Sequence, residues 1–147
     1  MKNYRTILIL ATLITLVGCS DKQILSGTGC SIDLVNDSGD EIVTMKAGGI
    51  LKVAGWALDN LSKQAPETII INLVSSNGAV SKFAQGKLTM ARPDVNTAYN
   101  ASAIGNVGFG ISAELASPVP GIYEIQILQN FSDRTIVCKS AKSVSIN

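Results

Sequence analysis

The chain has 147 residues, with twelve basic and eleven acidic side chains and no histidine, so its formal net charge is +1. A near-neutral balance without a lysine or arginine cluster lacks the electrostatic footprint of nucleic-acid binding, which excludes nucleic acid as the natural partner. The absence of histidine removes the usual general base at neutral pH and the commonest zinc ligand, which disfavours most hydrolases.

The first segment has the composition of a signal peptide. Lys2 and Arg5 form a positive amino-terminal region, and residues 6–17 form an uncharged, largely apolar stretch. A spanning helix needs about 20 apolar residues, so this stretch is too short for a permanent transmembrane anchor. We therefore predict a cleaved signal peptide over residues 1–18, a short polar tether over residues 19–25 and one domain over residues 26–147.

The end of this segment resembles a known processing site. Leu16, Val17, Gly18 and Cys19 resemble the lipobox of bacterial lipoprotein precursors. The resemblance implies that a diacylglycerol is attached to Cys19 through a thioether, that cleavage makes Cys19 the first mature residue, and that its new amino terminus is acylated. Two or three acyl chains hold a protein on a membrane far more firmly than one. The alternative is an ordinary secretory signal that happens to contain a cysteine.

The residue after Cys19 bears on where the protein is delivered. In the enterobacterial sorting rule that the resemblance imports, an aspartate at this position retains a lipoprotein at the inner membrane, and here the position holds Ser20. We therefore expect a lipid-anchored protein of the outer membrane that faces the periplasm. Cleavage after residue 18 leaves ten basic and eleven acidic residues, a mature net charge of −1.

The other two cysteines form an even set if Cys19 carries lipid. Cys30 and Cys138 would lie in an oxidising compartment, which favours a disulfide between them. The cross-link would close a loop of about 109 residues, which chain-entropy arguments value at about 4 to 5 kcal/mol. The alternative is two separate buried thiols.

Alternating hydrophobicity predicts strands along the rest of the chain. Residues 106–115 alternate strictly between apolar and polar, and residues 123–127 do the same after a turn rich in proline and glycine. Residues 68–74 are apolar on both sides, as in a central strand. Weaker strands are predicted over residues 30–35, 41–45, 50–58, 80–85 and 135–139. Beyond the leader, no window of twelve residues has a convincing helical period, so we predict a two-sheet antiparallel sandwich, with a small barrel as the alternative.

A second resemblance rests on short motifs between residues 50 and 128. The motifs are Gly-Trp-Ala-Leu-Asp at 55–59, Arg-Pro-Asp-Val at 92–95, Tyr99, Gly-Phe at 108–109 and Gly-Ile-Tyr at 121–123. In this order they resemble a group of bacterial immunoglobulin-like sandwich modules, which often accompany cell-surface or glycan-related proteins. The resemblance implies an all-β, antiparallel two-sheet immunoglobulin-like sandwich, here of seven or eight strands. It provides no ligand site to transfer.

The residues of these motifs have structural interpretations. Trp56, in an alternating strand, is expected to fill the centre of the sandwich, with a sugar-stacking platform as the alternative. Arg92 and Asp94 flank a proline and are predicted to form a local ion pair, with Asp59 as the candidate second partner of Arg92. Tyr123 is predicted to form a tyrosine corner, in which the hydroxyl group bonds to nearby backbone.

Two polar segments are candidates for ligand contact. Residues 36–41 carry oxygen ligands of the kind that calcium prefers, but they lack the EF-hand order. We interpret them instead as a hairpin turn of residues that tolerate left-handed φ. Residues 96–110 are rich in glycine, asparagine and serine, and the loop within this run that extends up to residue 106 is where we expect partner contact. We predict no metal and no cofactor.

The anchor, the small domain and the missing catalytic groups together favour a binding role. We expect a non-catalytic envelope lipoprotein, attached to the membrane by the lipid on Cys19, whose sandwich binds a protein complex or a glycan of the cell surface. A hypothesis from another class is a periplasmic inhibitor or immunity-type protein that blocks a wall-degrading enzyme. A third hypothesis is a glycoside hydrolase with two catalytic carboxylates, but no spacing selects such a pair.

Overall fold

The computed structural model describes residues 22–101, 104–116 and 119–147. The predicted signal peptide and Cys19 lie outside these residues. The described part of the chain folds into ten strands and one short helix. Within it, no helix is both long and apolar enough to cross a membrane.

The strands form two sheets. The first sheet contains β1 (Gln23–Ser26), β3 (Ile42–Met45), β5 (Thr68–Ser75), β6 (Val80–Gly86), β9 (Gly121–Asn130) and β10 (Arg134–Ile146). The second sheet contains β2 (Cys30–Val35), β4 (Ile50–Ala57), β7 (Met90–Ala91) and β8 (Asn106–Glu114), and the helix α1 (Pro93–Ala98) lies between β7 and β8 in the chain.

The strand order is that of an immunoglobulin-like sandwich. The first sheet runs β1-β10-β9-β5-β6 and the second runs β2-β4-β8-β7. All pairs are antiparallel except β1 and β3, which both pair with β10 in parallel. The second sheet, β2-β4-β8-β7, corresponds to the A-B-E-D sheet of the immunoglobulin fold. The first sheet, from β10 to β6, corresponds to the G-F-C-C′ sheet. The predicted all-β, two-sheet sandwich is confirmed, with ten strands rather than seven or eight.

The elements that the sequence pattern did not predict are short or exposed. Residues 23–25, which were expected in the tether, lie in β1, and all four residues of that strand are exposed. β7 has two residues. Residues 93–98 form α1, although no helix was predicted beyond the leader, with Pro93 in the first turn, where its missing N–H costs no hydrogen bond. A helix of six residues is too short to show a period.

The main core lies between the two sheets. Ile69 and Ile71 of β5, Ile125 and Ile127 of β9, and Phe109 of β8 are fully buried there. β5 is paired on both sides, with β9 and with β6, as its double-sided apolar pattern predicted. Because alternate residues of each strand face inward, the apolar side chains of both sheets meet in one layer.

A bulge in β2 changes which of its side chains enter the core. Ile32 and Leu34 lie opposite adjacent residues of β4, so Asp33 is an extra residue between them. Beyond it the alternation is reversed: Val35 is fully buried, whereas Leu34, which strict alternation would place beside Ile32, is 41% exposed. The bulge also places Asp33 where it contacts the opposite edge of the second sheet.

The sandwich has two ends, which we call the proximal and the distal pole. The proximal pole contains Gln23, which pairs with Arg134, and the connections 58–67 and 131–133. The distal pole contains the ends of β5 and β10, the connection 76–79 and residues 115–116 and 119–120. The described chain therefore begins at the proximal pole.

Candidate functional site

Trp56 is buried, but it lies outside the main core. Its side chain is 9% exposed and belongs to a second apolar cluster with Leu58, Val95 and Val107. The ring of Tyr99 packs against it at a tilt of 55°, with the ring centroids 5.2 Å apart. This arrangement leaves no open ring face on which a sugar could stack, so the geometry favours the structural interpretation of Trp56.

The segment expected to contact a partner contributes to this cluster. Residues 96–98 belong to α1, and Tyr99 and Ile104 pack against the Trp56 cluster. The amide Nδ2 of Asn96 donates to the carbonyl of Ile104 at 2.8 Å, which joins α1 to the chain before β8. The described residues of this segment therefore cover Trp56.

Arg92 forms the predicted ion pair with Asp94, but its second partner is different from the one expected. Nε and Nη2 of Arg92 donate to the two carboxylate oxygens of Asp94 at 2.9 and 2.7 Å. Nη1 donates to Asp33 at 2.5 Å, so the expectation that Asp59 would bind Arg92 is wrong. Gly108 leaves room for the side chain of Arg92 to reach Asp33, because a Cβ at position 108 would lie 2.9 Å from Cγ of Arg92.

The charges of this cluster stabilise one another. The hydrogen bonds from Arg92 lower the pKa of Asp94 to about 2, and the two carboxylates raise the pKa of Arg92. A bidentate pair of this geometry fixes the orientation of both side chains. Together with the hydrogen bond from Arg92 to Asp33 of β2, the pair holds the start of α1 against the second sheet.

Asp59 is a buried carboxylate at the proximal pole. It is 7% exposed and accepts hydrogen bonds from the backbone N–H of Leu61 at 2.9 Å, Ser62 Oγ at 2.7 Å and Arg134 Nη2 at 2.7 Å. Burial alone would raise the pKa of Asp59, but the hydrogen bonds from Ser62, Leu61 and Arg134 outweigh it and lower the pKa below its usual 3.8. The carboxylate therefore stays ionised and joins the connection 58–67 to the start of β10.

Two further contacts match their sequence-based predictions. Cys30 and Cys138 form a disulfide, with their Cα atoms 6.3 Å apart, which links β2 of one sheet to β10 of the other. The hydroxyl group of Tyr123 donates to the carbonyl of Val119 at 2.6 Å, which is the geometry of a tyrosine corner.

Residues 36–41 contain a tight turn with the predicted left-handed φ, but the expected hairpin is wrong, because β2 pairs with β4 and β3 pairs with β10 in the other sheet. Asn36 and Asp37 both have left-handed φ, of 47° and 65°, and Val35 and Ser38 exchange backbone hydrogen bonds across them. Asp37 pairs with Lys52 at 3.2 Å, and Asp40 accepts from Ser38 Oγ at 2.8 Å. Across residues 22–101, 104–116 and 119–147, no group of three or more acidic or cysteine side chains has the spacing of a metal site.

A cleft opens at the distal pole. It has a volume of about 460 Å³ and lies between β6 and the connection from β8 to β9. Its walls combine apolar side chains with a polar rim, a composition that suits an amphipathic ligand such as a peptide segment or a sugar. The apolar part comprises Phe83, Leu115, Val119 and Ile122, and the rim comprises Ser75, Asn77, Lys82 and Glu114.

No protein-family model matches this chain, and no curated protein matches it in sequence. The candidate site therefore rests on the geometry of the chain itself.

Sequence reasoning missed this cleft because its walls are distant in the chain. Phe83 belongs to β6, whereas Val119 and Ile122 surround the start of β9. The available signal in the sequence was a pair of apolar residues, Val119 and Ile122, on either side of a proline and a glycine. In the structure both side chains are exposed. Asp33 and Arg134 were missed in the same way, since each finds its partner only across the fold.

Proposed function

We propose that this chain is a non-catalytic envelope lipoprotein, held at the outer membrane by lipid on Cys19, whose sandwich binds a protein complex or a glycan of the envelope in the distal cleft. One observation carries the proposal. β1 begins four residues after Cys19, at the proximal pole, whereas the cleft of about 460 Å³ lies at the opposite pole.

The pairing of β10 with its neighbours shows how far the cleft lies from the anchored end of the domain. Arg134 pairs with Gln23 at the proximal pole, and Val144 of the same strand pairs with Tyr123, which lines the cleft. Because β10 is bulged between Lys139 and Ser143, the separation is measured along β9, where the seven steps from Asn130, the partner of Thr135, to Tyr123 correspond to about 23 Å at about 3.3 Å each. A module anchored at Cys19 would hold its cleft at about this distance from the lipid, where it is open to other envelope components.

The walls of the cleft are held by contacts that do not depend on a ligand. The hydrogen bond from Tyr123 fixes the chain at Val119, and the pairing of β5 with both β6 and β9 fixes the strands on either side. A preformed site loses less conformational entropy on binding than a site that must be ordered by its ligand. This rigidity supports a binding role for the cleft.

The membrane anchor is tested by metabolic labelling. Cells that express the full chain and are fed radiolabelled palmitate should incorporate label into the protein, and the Cys19→Ala variant should incorporate none. Equal labelling of the two chains would refute lipidation at Cys19.

The binding site is tested by photo-crosslinking in intact cells. A benzophenone amino acid at Ile122 in the distal cleft should form a discrete adduct, whereas the same group at Leu34, an exposed apolar position on β2 outside this cleft, should not. An Ile122→Asp substitution should prevent an adduct from a probe at Val119. Equal adducts from Ile122 and Leu34 would refute the cleft as the site.

The same experiment separates the resident partner from the inhibitor hypothesis. A resident envelope partner gives the adduct in cells grown alone. An inhibitor or immunity-type protein gives it only when the attacking wall-degrading enzyme is supplied, and that outcome would replace the function proposed here.

A further inference from the structure

Three apolar side chains are exposed at the proximal pole. Leu61 is 93% exposed, Ile24 is 75% exposed, and Leu25 is also exposed. Leu25 and Leu61 line the same cavity of about 320 Å³, together with the buried Ile136. Single exposed apolar residues are common on protein surfaces, but two of them around one cavity, with Ile24 adjacent on the strand that borders it, indicate a contact surface.

Leu61 is held outward by a rigid connection. Its backbone N–H donates to Asp59 Oδ1, and the carboxylate of Asp59 is fixed in turn by Ser62 and Arg134. The chain turns back after Leu61 because Lys63 has a left-handed φ of 55° and donates its N–H to the carbonyl of Asp59 at 2.8 Å. A buried ion pair thus stabilises a loop that presents leucine to the exterior.

The distance from Cys19 limits what can cover this surface. Three residues separate Cys19 from Gln23, the first residue of β1. An extended chain spans at most about 3.6 Å per residue, so the four steps from Cys19 to Gln23 reach at most about 14 Å. If Cys19 carries lipid, Ile24 and the cavity beside β1 are therefore close to the headgroups of the bilayer.

We propose that the proximal pole docks on the lipid bilayer, with Leu61 and Leu25 entering the boundary between headgroups and acyl chains. The inference rests on the lipid anchor proposed above. Exposed Lys22 lies between the anchor and β1, where its charge can meet lipid phosphates. Docking by this pole orients β10 away from the membrane, which directs the distal cleft outward.

The test uses the full lipidated chain in phosphatidylcholine and phosphatidylglycerol vesicles that carry bromine on their acyl chains. Trp56 is the single tryptophan and is buried, so the emission of a tryptophan introduced by Leu61→Trp can be compared with that of the unmodified chain. The matched control is Val119→Trp, which introduces the same group at an exposed position of the distal pole. Brominated lipid should quench the emission added by Leu61→Trp about twofold or more, and should leave that added by Val119→Trp unchanged, because only the docked pole contacts acyl chains.

Two results would overturn the inference in distinguishable ways. If both variants float with the vesicles but are quenched equally, the anchor is present and docking by the proximal pole is wrong. If neither variant floats with the vesicles, the anchor itself is absent and the proposed function fails with it. The first result is also what we expect if Leu61 docks on a partner protein and not on the bilayer.

Discussion

Arg134 Nη2 lies 2.7 Å from Asp59 Oδ2, although the two residues are 75 positions apart in the chain. The guanidinium also contacts Ser62 Oγ at 3.0 Å and lies over the ring of Phe131, 4.4 Å from its centroid. The pair thus joins the connection 58–67 to the turn before β10, two segments that share no backbone ladder. This contact therefore stabilises the conformation of the two connections at the proximal pole.

We expect Asp59 and Arg134 to be strongly coupled in a double-mutant cycle. Asp59→Ala, Arg134→Ala and the double variant should yield a coupling free energy of about 1 to 3 kcal/mol in urea unfolding, because the pair is largely buried. The control cycle uses Lys52 and Asp37, whose side chains are 57% and 77% exposed, and should yield less than about 1 kcal/mol. Equal couplings in the two cycles would contradict this account.

The carboxyl group of Asp94 should titrate near pH 2. The hydrogen bonds from Arg92 lower its pKa to about 2 from an ordinary value of 3.8. Because the folded pKa is the lower one, the contribution of the ionised pair to stability is present above about pH 4 and is lost as the pH falls towards 2. An NMR titration of the carboxyl carbon measures the midpoint, which should return towards 3.8 in Arg92→Met. A midpoint near 3.8 in the unmodified chain would show that the pair does not form in solution.

Truncation of Trp56 should destabilise the domain. Trp56→Ala removes a buried ring from the cluster with Tyr99 and Val95 and should lower the free energy of unfolding by about 3 to 5 kcal/mol. Val80→Ala, at an exposed apolar position, should change it by no more than about 0.5 kcal/mol. Urea unfolding followed by far-UV circular dichroism measures both. A small effect of Trp56→Ala would mean that the cluster is not formed.

Loss of the disulfide should lower the thermal stability. Replacement of both Cys30 and Cys138 by alanine should cost about 2 to 5 kcal/mol, since the bond closes a loop with a sequence separation of 108 residues. Calorimetry of the oxidised chain and of the double variant measures the loss. In the Cys19→Ala background, the unfolded but unreduced chain should contain no reactive thiol, and two reactive thiols would disprove the pairing.

Tyr123→Phe isolates the hydrogen bond of the tyrosine corner. The substitution keeps the ring and removes the donor to Val119, so the free energy of unfolding should fall by about 1 kcal/mol. Tyr99→Phe is the matched control, because the contact of Tyr99 with Trp56 is made by its ring. Chemical unfolding compares the two variants. A larger loss from Tyr99→Phe would place the more important hydroxyl group there.

Two strands were predicted almost residue by residue, whereas β9, at Gly121–Asn130, is twice as long as the predicted residues 123–127. β8 runs over Asn106–Glu114 where residues 106–115 were expected, and β5 runs over Thr68–Ser75 where residues 68–74 were expected. Burial on one face imposes a period of two on the residues of a strand, so the signal is local. β1 has no such signal, because its four residues are exposed and its pairing is with β10, more than a hundred residues away.

The candidate site was less accessible to prediction. The sequence suggested a partner-binding loop that ends at residue 106, but the described residues of that segment cover Trp56, and the cleft lies at the opposite pole. The expected pairing of Asp59 with Arg92 is wrong for a related reason. The bulge in β2 places the carboxylate of Asp33 against Arg92, and at the proximal pole Asp59 pairs with Arg134.

The sequence by itself determined the all-β class, most of the strands, the tight turn at Asn36 and Asp37, and the cysteines that pair. Each of these follows from periodicity, from local φ preferences or from a count of cysteines, none of which requires knowledge of distant neighbours. Only the tertiary structure decided the partners of Arg92 and Asp59, the covering of Trp56 and the position of the cleft. Hydrogen bonds and ion pairs act over about 3 Å, and in this fold that distance is set by strands remote from one another in the chain.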